Sequence, residues 1–173
     1  MDFTEADSRS VPPRGEGFGS MTLLFAYASN LNRERMAERC PAAEILGLAT
    51  LADHRLVFRH GADVEPHGGS LTLGAVWRLT PADMVALDHY EGFPALYRKD
   101  FRLVQLAGGE GLECMIYRMN RDGYAPPPED YLAVIREGYH DFGLPDAALD
   151  AAVELSSHLK PAVCGQVRRP GAH

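Results

Sequence analysis

Two short stretches hold the groups best suited to chemistry. The first is LDHYEGF, residues 87–93, where Glu91 ends a helix-forming run directly before Gly92. The C-terminal end of a helix carries partial negative charge, which disfavours an ionised carboxylate. Asp88, three residues earlier, would face the same side of a helix and add like-charge repulsion. Phe93 and Leu96 would keep water from the same group. Each influence raises a carboxylate's pKa toward the range where it can accept a proton and return it. A solvated glutamate at a helix end is the bland alternative, and these residues alone do not choose between the two.

The second stretch is LLFAYASNLNRER, residues 23–35. Apolar residues run into Tyr27-Ala28-Ser29-Asn30, and a charged, helix-prone segment follows at once. Backbone N–H groups at a strand-to-helix turn can hold a carboxylate or an oxyanion, although a plain tight turn reads the same way. Tyr131 follows Pro126-Pro127-Pro128 and shares a helical stripe with Ile135 and Tyr139, a pattern that by itself indicates a buried face.

Other chemistries find little support. Cys40, Cys114 and Cys164 are odd in number, far apart and without a CxxC pair, which indicates reduced thiols packed as small hydrophobes. His54, His60 and His67 match no metal-ligand spacing, and Ser29 lies outside any GxSxG elbow. The Gly-rich GEGFGS (15–20) has no strand before it and does not fit GxGxxG.

The elements that must position these groups are legible. Residues 22–27 form a buried strand and 31–39 a short helix stopped before Pro41. Strands follow at 43–50 and 54–60, joined by a turn around Ala52-Asp53, and 60–69 (HGADVEPHGG) is a loop by its Gly, Pro and Asp content. Residues 71–79 form a strong strand. Thr80-Pro81-Ala82-Asp83 is a helix start, with Thr as N-cap and Pro first in the helix, and Gly92 is its stop. Strands at 97–106 and 112–119 flank a glycine turn, and helices cover 129–142 and 146–159. Because most strands follow one another directly, a curled, largely antiparallel or mixed sheet fits better than a doubly wound one. The fold class is therefore mixed α+β, a small barrel-like sheet with surrounding helices.

The 173 residues suit one domain, expected over 21–165 between flexible tails at 1–20 and 166–173. A formal net charge of −7 argues against phosphate-backbone binding, so nucleic acid is not an expected partner. No apolar run approaches a membrane span, and the first twenty residues lack a signal-peptide pattern. A cytoplasmic location is expected, and a homodimer is compatible with this composition.

Taken in order, three motifs resemble the gamma-glutamylcyclotransferases and their AIG2-like relatives. FAYASNL (25–31) is similar to the family's FAYGSNL, LDHYEG (87–92) to LDxxEG, and residues 125–145 to APPPxxYxxxIxxGxxxxGLP. The strand-then-helix VWRLTPADMVALDHYEG and the following Tyr97-Arg98 fit the same pattern, so the resemblance spans 22–145. It implies a compact barrel with its pocket inside one end. It also implies cleavage of a gamma-glutamyl amide by the substrate's own α-amine, giving 5-oxoproline and a free amino acid or amine, with no metal or cofactor. The family's glutamate base falls on Glu91, its substrate cradle on Leu24, Phe25, Ala26, Tyr27, Ala28, Ser29 and Asn30, and its late substrate-contacting tyrosine on Tyr131.

One departure stands out: the family's usual glycine is Ala28 here. If that position needs positive φ, Ala is strained by roughly 1 kcal/mol; if it serves close approach of substrate, one methyl narrows the pocket. That departure keeps alternatives open: a non-catalytic relative binding a small molecule or a protein, or a related acyl-transfer enzyme of secondary metabolism.

Overall fold

The chain runs from strand β1 (Thr22–Ala26), buried from Leu24 onward, through Tyr27 and Ala28 into one 3-10 turn, Ser29–Leu31. The computed structural model describes residues 20–159, so the expected tails lie outside the described residues except for Ser20, as does Cys164. Helix α1 (Arg33–Arg39) begins only after Asn32, whose side chain accepts a hydrogen bond from the Arg35 N–H. The single helix expected over 31–39 is thus two pieces, because Asn32 is extended and acts as an N-cap.

The largest departure from expectation is a long hairpin. β2 (Glu44–Arg59) and β3 (Gly61–Leu79) pair antiparallel down to Arg59↔Gly61, with His60 alone at the turn (φ 68°). The turn expected at Ala52-Asp53 is a bulge inside β2, where Asp53 takes φ 54° and its carboxylate accepts the Gly69 N–H. The loop expected over 60–69 is the first half of β3. Ala62 and Val64 face the core, while Asp63 and Glu65 are neutralised by arginines across the hairpin. Asp63 is 2% exposed and accepts from Arg59 Nε, Arg118 Nε and the Met119 N–H. Glu65 receives Arg55, Arg59 and the Tyr124 hydroxyl. Polar residues that locally signal a loop are held in a strand by ion pairs to arginines on β2 and, through Arg118, on a strand 55 residues away.

Helix α2 (Pro81–Glu91) starts on a complete Thr80–Asp83 capping box and ends on Gly92 in the left-handed conformation, φ 66°. Its final residue is Glu91, so the stop signal fixes where that carboxylate leaves the helix. β4 (Tyr97–Leu106) and β5 (Gly111–Met119) form a second hairpin. The sheet closes in the order β1-β3-β2-β4-β5. Two seams complete it: β2 meets β4 at Ala49↔Leu106 and Thr50↔Gln105, and β1 meets β5 in parallel at Leu24↔Met115. The mixed barrel expected from the run of strands is therefore the architecture found.

Two helices brace it. α3 (Glu129–Asp141) buries Ile135 and Tyr139 and rests on the Ser29–Leu31 turn. Gly138 makes that approach feasible, since a Cβ there would stand 2.6 Å from the Asn32 nitrogen. The Asn32 amide in turn donates to the Val134 carbonyl and to Glu137, both 3.1 Å. α4 (Asp146–His158) covers β2, where Ser156 Oγ accepts the Phe58 N–H at 2.7 Å.

Candidate active site

Barrel closure and the two braced turns converge on one cleft. It is lined by Leu24, Phe25, Ala26, Tyr27, Ala28, Ser29, Asn30, Glu91 and Tyr131, together with Ala62, Tyr97 and Tyr117. The residues expected to form the site, Leu24 to Asn30, Glu91 and Tyr131, therefore meet in one place. Ala62, Tyr97 and Tyr117 were missed. Tyr97 begins a strand and Tyr117 lies late in another; the antiparallel register of β4 and β5 sets their rings edge to face at 6.4 Å, and Tyr97 reaches the Ala62 carbonyl beside the turn of the β2–β3 hairpin.

Glu91 is only partly exposed, with its carboxyl set into the cleft. Burial raises its pKa above the ordinary glutamate value of 4.5, while the Asn30 amide and the Arg39 charge pull it part of the way back. Asn30 Nδ2 donates to Glu91 Oε1 at 2.7 Å, and Asn30 Oδ1 accepts from Arg39 Nη1 at 3.0 Å. The Arg39 guanidinium itself lies 3.3 Å from the Tyr90 ring centroid. The carboxyl is thus held by a chain of three side chains and retains its second oxygen for other contacts.

The expected repulsion from Asp88 is not found. Asp88 is engaged by Lys99 Nζ at 2.7 Å and by the Tyr117 hydroxyl at 2.6 Å, and it makes no contribution to the Glu91 shift. With its charge neutralised by Lys99, desolvation leads instead.

The remaining polar groups are uncharged donors and acceptors. Tyr97 donates to the Ala62 carbonyl at 3.0 Å, and Tyr131 accepts from the Ala62 N–H at 3.4 Å. Tyr27 donates to the Tyr117 carbonyl at 2.6 Å. Burial pushes Tyr131 up to about 12 and raises Tyr27, Tyr97 and Tyr117 as well, so all four stay phenols at neutral pH. Burial also pushes Cys40 and Cys114 up to about 11, which keeps them as thiols. His54 is tied to the Ala52 carbonyl and His67 to Ser70, and neither lines the cleft.

The cradle is a backbone feature. The first N–H groups of a helical turn have no carbonyl one turn earlier to bond, so those of Ser29 and Asn30 are available at the start of the 3-10 turn. Ala28 has φ −142°, so the left-handed strain considered for this position does not arise. What remains of the substitution is steric: one methyl on the cleft wall.

This arrangement joins a carboxylate of raised proton affinity to backbone donors and several phenols, all on a pocket wall. It can take a proton, stabilise a developing oxyanion and return the proton.

Comparison with known proteins places the chain among relatives. The family model Gamma-glutamyl cyclotransferase, AIG2-like matches residues 24–140. The Gamma-glutamylcyclotransferase of Bos taurus is 33% identical over 140 residues, 73% of this chain and 74% of that protein. That of Homo sapiens is 32% identical over 136 residues, 71% and 72%. A solved Gamma-glutamyl cyclotransferase structure is similar with a TM-score of 0.68 at 28% identity, covering 86% of this chain and 94% of that one.

Proposed function

The chain belongs to the AIG2-like gamma-glutamyl cyclotransferase family, and from that premise we propose that its cleft cleaves a gamma-glutamyl amide with Glu91 as base and then acid. It is an enzyme of the gamma-glutamyl cyclotransferase type, acting on a small-molecule gamma-glutamyl substrate. The observation that supports the assignment of roles is the position of Glu91: a carboxyl of raised proton affinity in the same cleft as the backbone turn 28–30 and Tyr131.

The substrate's α-ammonium cannot attack a carbonyl until it loses a proton, which Glu91 accepts. The freed amine attacks the γ-carbonyl carbon of the same molecule, so the cleft must fold the substrate more than it must gather reactants. The new C–N bond leaves an oxyanion, for which the N–H groups of Ser29 and Asn30 and nearby phenols are suitable donors. As the amide C–N bond breaks, Glu91 gives its proton to the departing nitrogen. The attacking nitrogen loses two protons and the leaving amine gains two, so one carboxylate ferrying them in turn balances the reaction without water or a co-reactant. Leu24 to Ala28 wall the glutamyl side, and Tyr131 with Ser29 closes it. No observation favours a non-catalytic role.

The test is release of 5-oxoproline across gamma-glutamyl amino acids, amines and glutathione. Some member of that panel is turned over, and Glu91→Gln lowers its rate by about 10²–10⁴-fold, the usual worth of a positioned acid–base group. Absence of product from the whole panel would overturn the assignment.

A further inference from the structure

The cleft has an outer half, and its chemistry differs from the inner one. Ser29, Glu91, Tyr97 and Tyr131 line the inner cleft and also a wider, more open space that continues outward between His60, Gly61, Tyr90, Leu96, Met119 and Pro128. We infer that this outer space is the leaving-group subsite, and that it selects amines with an apolar body and no carboxylate. The inference rests on the proposed activity and names the half of the substrate which that activity leaves open.

Position comes first. Glu91 stands at the junction of the two spaces. If the glutamyl half occupies the inner cleft, the scissile nitrogen must come within reach of Glu91 to receive its proton, and whatever that nitrogen carries points outward. The outer walls are then the first surface the leaving group meets.

The composition of those walls supplies the selectivity. Tyr90 is 48% exposed and Leu96 54%, and both present apolar surface to this space. Arg39 stacks on the Tyr90 ring and steadies it as a wall. Among the described residues, no lysine or arginine lines either space. The neighbouring cations are engaged elsewhere: Lys99 on Asp88, Arg39 on Asn30, Arg98 on the Met119 carbonyl, and Arg59 and Arg118 on Asp63. A leaving group bearing its own carboxylate would bring a second negative charge beside Glu91 and meet, among the described residues, only the exposed His60 imidazole and no lysine or arginine lining the space. An arylalkyl amine meets the apolar walls and carries no such charge.

Three matched substrates separate these factors: gamma-glutamyl-phenethylamine, gamma-glutamyl-phenylalanine, which adds only a carboxylate, and gamma-glutamyl-ethylamine, which removes the ring. Expected is a kcat/KM for the phenethylamine compound about tenfold or more above each of the others, in the range a pocket contact or an unpaired charge can impose. Leu96→Lys, at an exposed position, should narrow the ratio of the phenethylamine to the phenylalanine compound. Leu96→Ala should narrow that of phenethylamine to ethylamine. Ratios within one preparation are insensitive to the fraction folded. Turnover of all three with equal or inverted ratios overturns this inference alone. No product from any gamma-glutamyl compound overturns the cyclotransferase assignment and this inference with it.

Discussion

At the residue scale the decisive quantity is the proton affinity of Glu91. Burial raises its folded pKa above the unfolded value, so the stability it contributes is complete below the unfolded pKa and is lost as pH rises through the folded one. Glu91→Gln abolishes that loss. The variant should therefore melt higher than the parent at neutral pH and converge with it below about pH 4, near the unfolded glutamate value, in thermal melts across pH. Activity should move the opposite way, which separates a functional carboxylate from a structural one. Asn30 and Arg39 both hold the Glu91 pKa down. Asn30→Ala and Arg39→Met should each shift the acid limb of the kcat/KM profile to higher pH, an effect that a merely structural role would not produce. Its place before Gly92 made Glu91 a candidate and only the resemblance of three motifs in order singled it out, while the raised pKa was attributed partly to Asp88. The pairing of Asp88 with Lys99 and Tyr117 spans 11 and 29 residues, beyond what helix spacing reveals.

At the scale of elements, local signals sufficed where they were complete. α2 follows from Thr80, Pro81, Asp83 and Gly92, residue by residue, because capping is settled within one turn. The start of β3 did not follow, because Gly, Pro and Asp in 60–69 carry a loop signature, whereas the partners that keep it extended lie on β2 and β5. α3 was read as an amphipathic helix, but its purpose as a clamp was hidden. Gly138 admits the backbone of Leu31 and Asn32, and no pattern within the helix announces that. Gly138→Ala should push α3 off the Ser29–Leu31 turn, lower stability by about 1–3 kcal/mol as overpacking does, and raise KM more than it lowers kcat. Denaturant melts and steady-state kinetics on the same preparation would check both.

For the whole molecule, the ion cluster around Asp63 ties the turn end of the β2–β3 hairpin to the open end of the β4–β5 hairpin. Asp63 on β3, Arg59 on β2 and Arg118 on β5 are all largely shielded from water. Asp63→Ala would leave the buried Arg118 guanidinium with only a 3.8 Å contact to Asp100 and Arg59 with Glu65 as its one acidic partner, a loss of about 3–5 kcal/mol. For a chain of this size that is roughly a 10 °C fall in Tm. The same cluster anchors Ala62, whose backbone holds Tyr97 and Tyr131, so surviving protein should also show a raised KM. The barrel was legible as a class because strands follow one another directly. Its closure, which brings Ala62, Tyr97 and Tyr117 into the cleft, was not, because strand pairing is fixed by contacts far apart in sequence.

The barrel is also stitched unevenly. The β2–β3 hairpin is paired over most of its length, while the β1–β5 seam rests on the single pair Leu24↔Met115, and β1 is the strand that delivers the turn at Ala28. In deuterium exchange the amides of β5 facing β1 should label well before those at the centre of the hairpin, since local opening follows the least-bonded edge. A bound gamma-glutamyl ligand, gripping the end of β1, should slow that labelling selectively. The enzyme would then breathe at its own doorway, and substrate would act as the missing stitch.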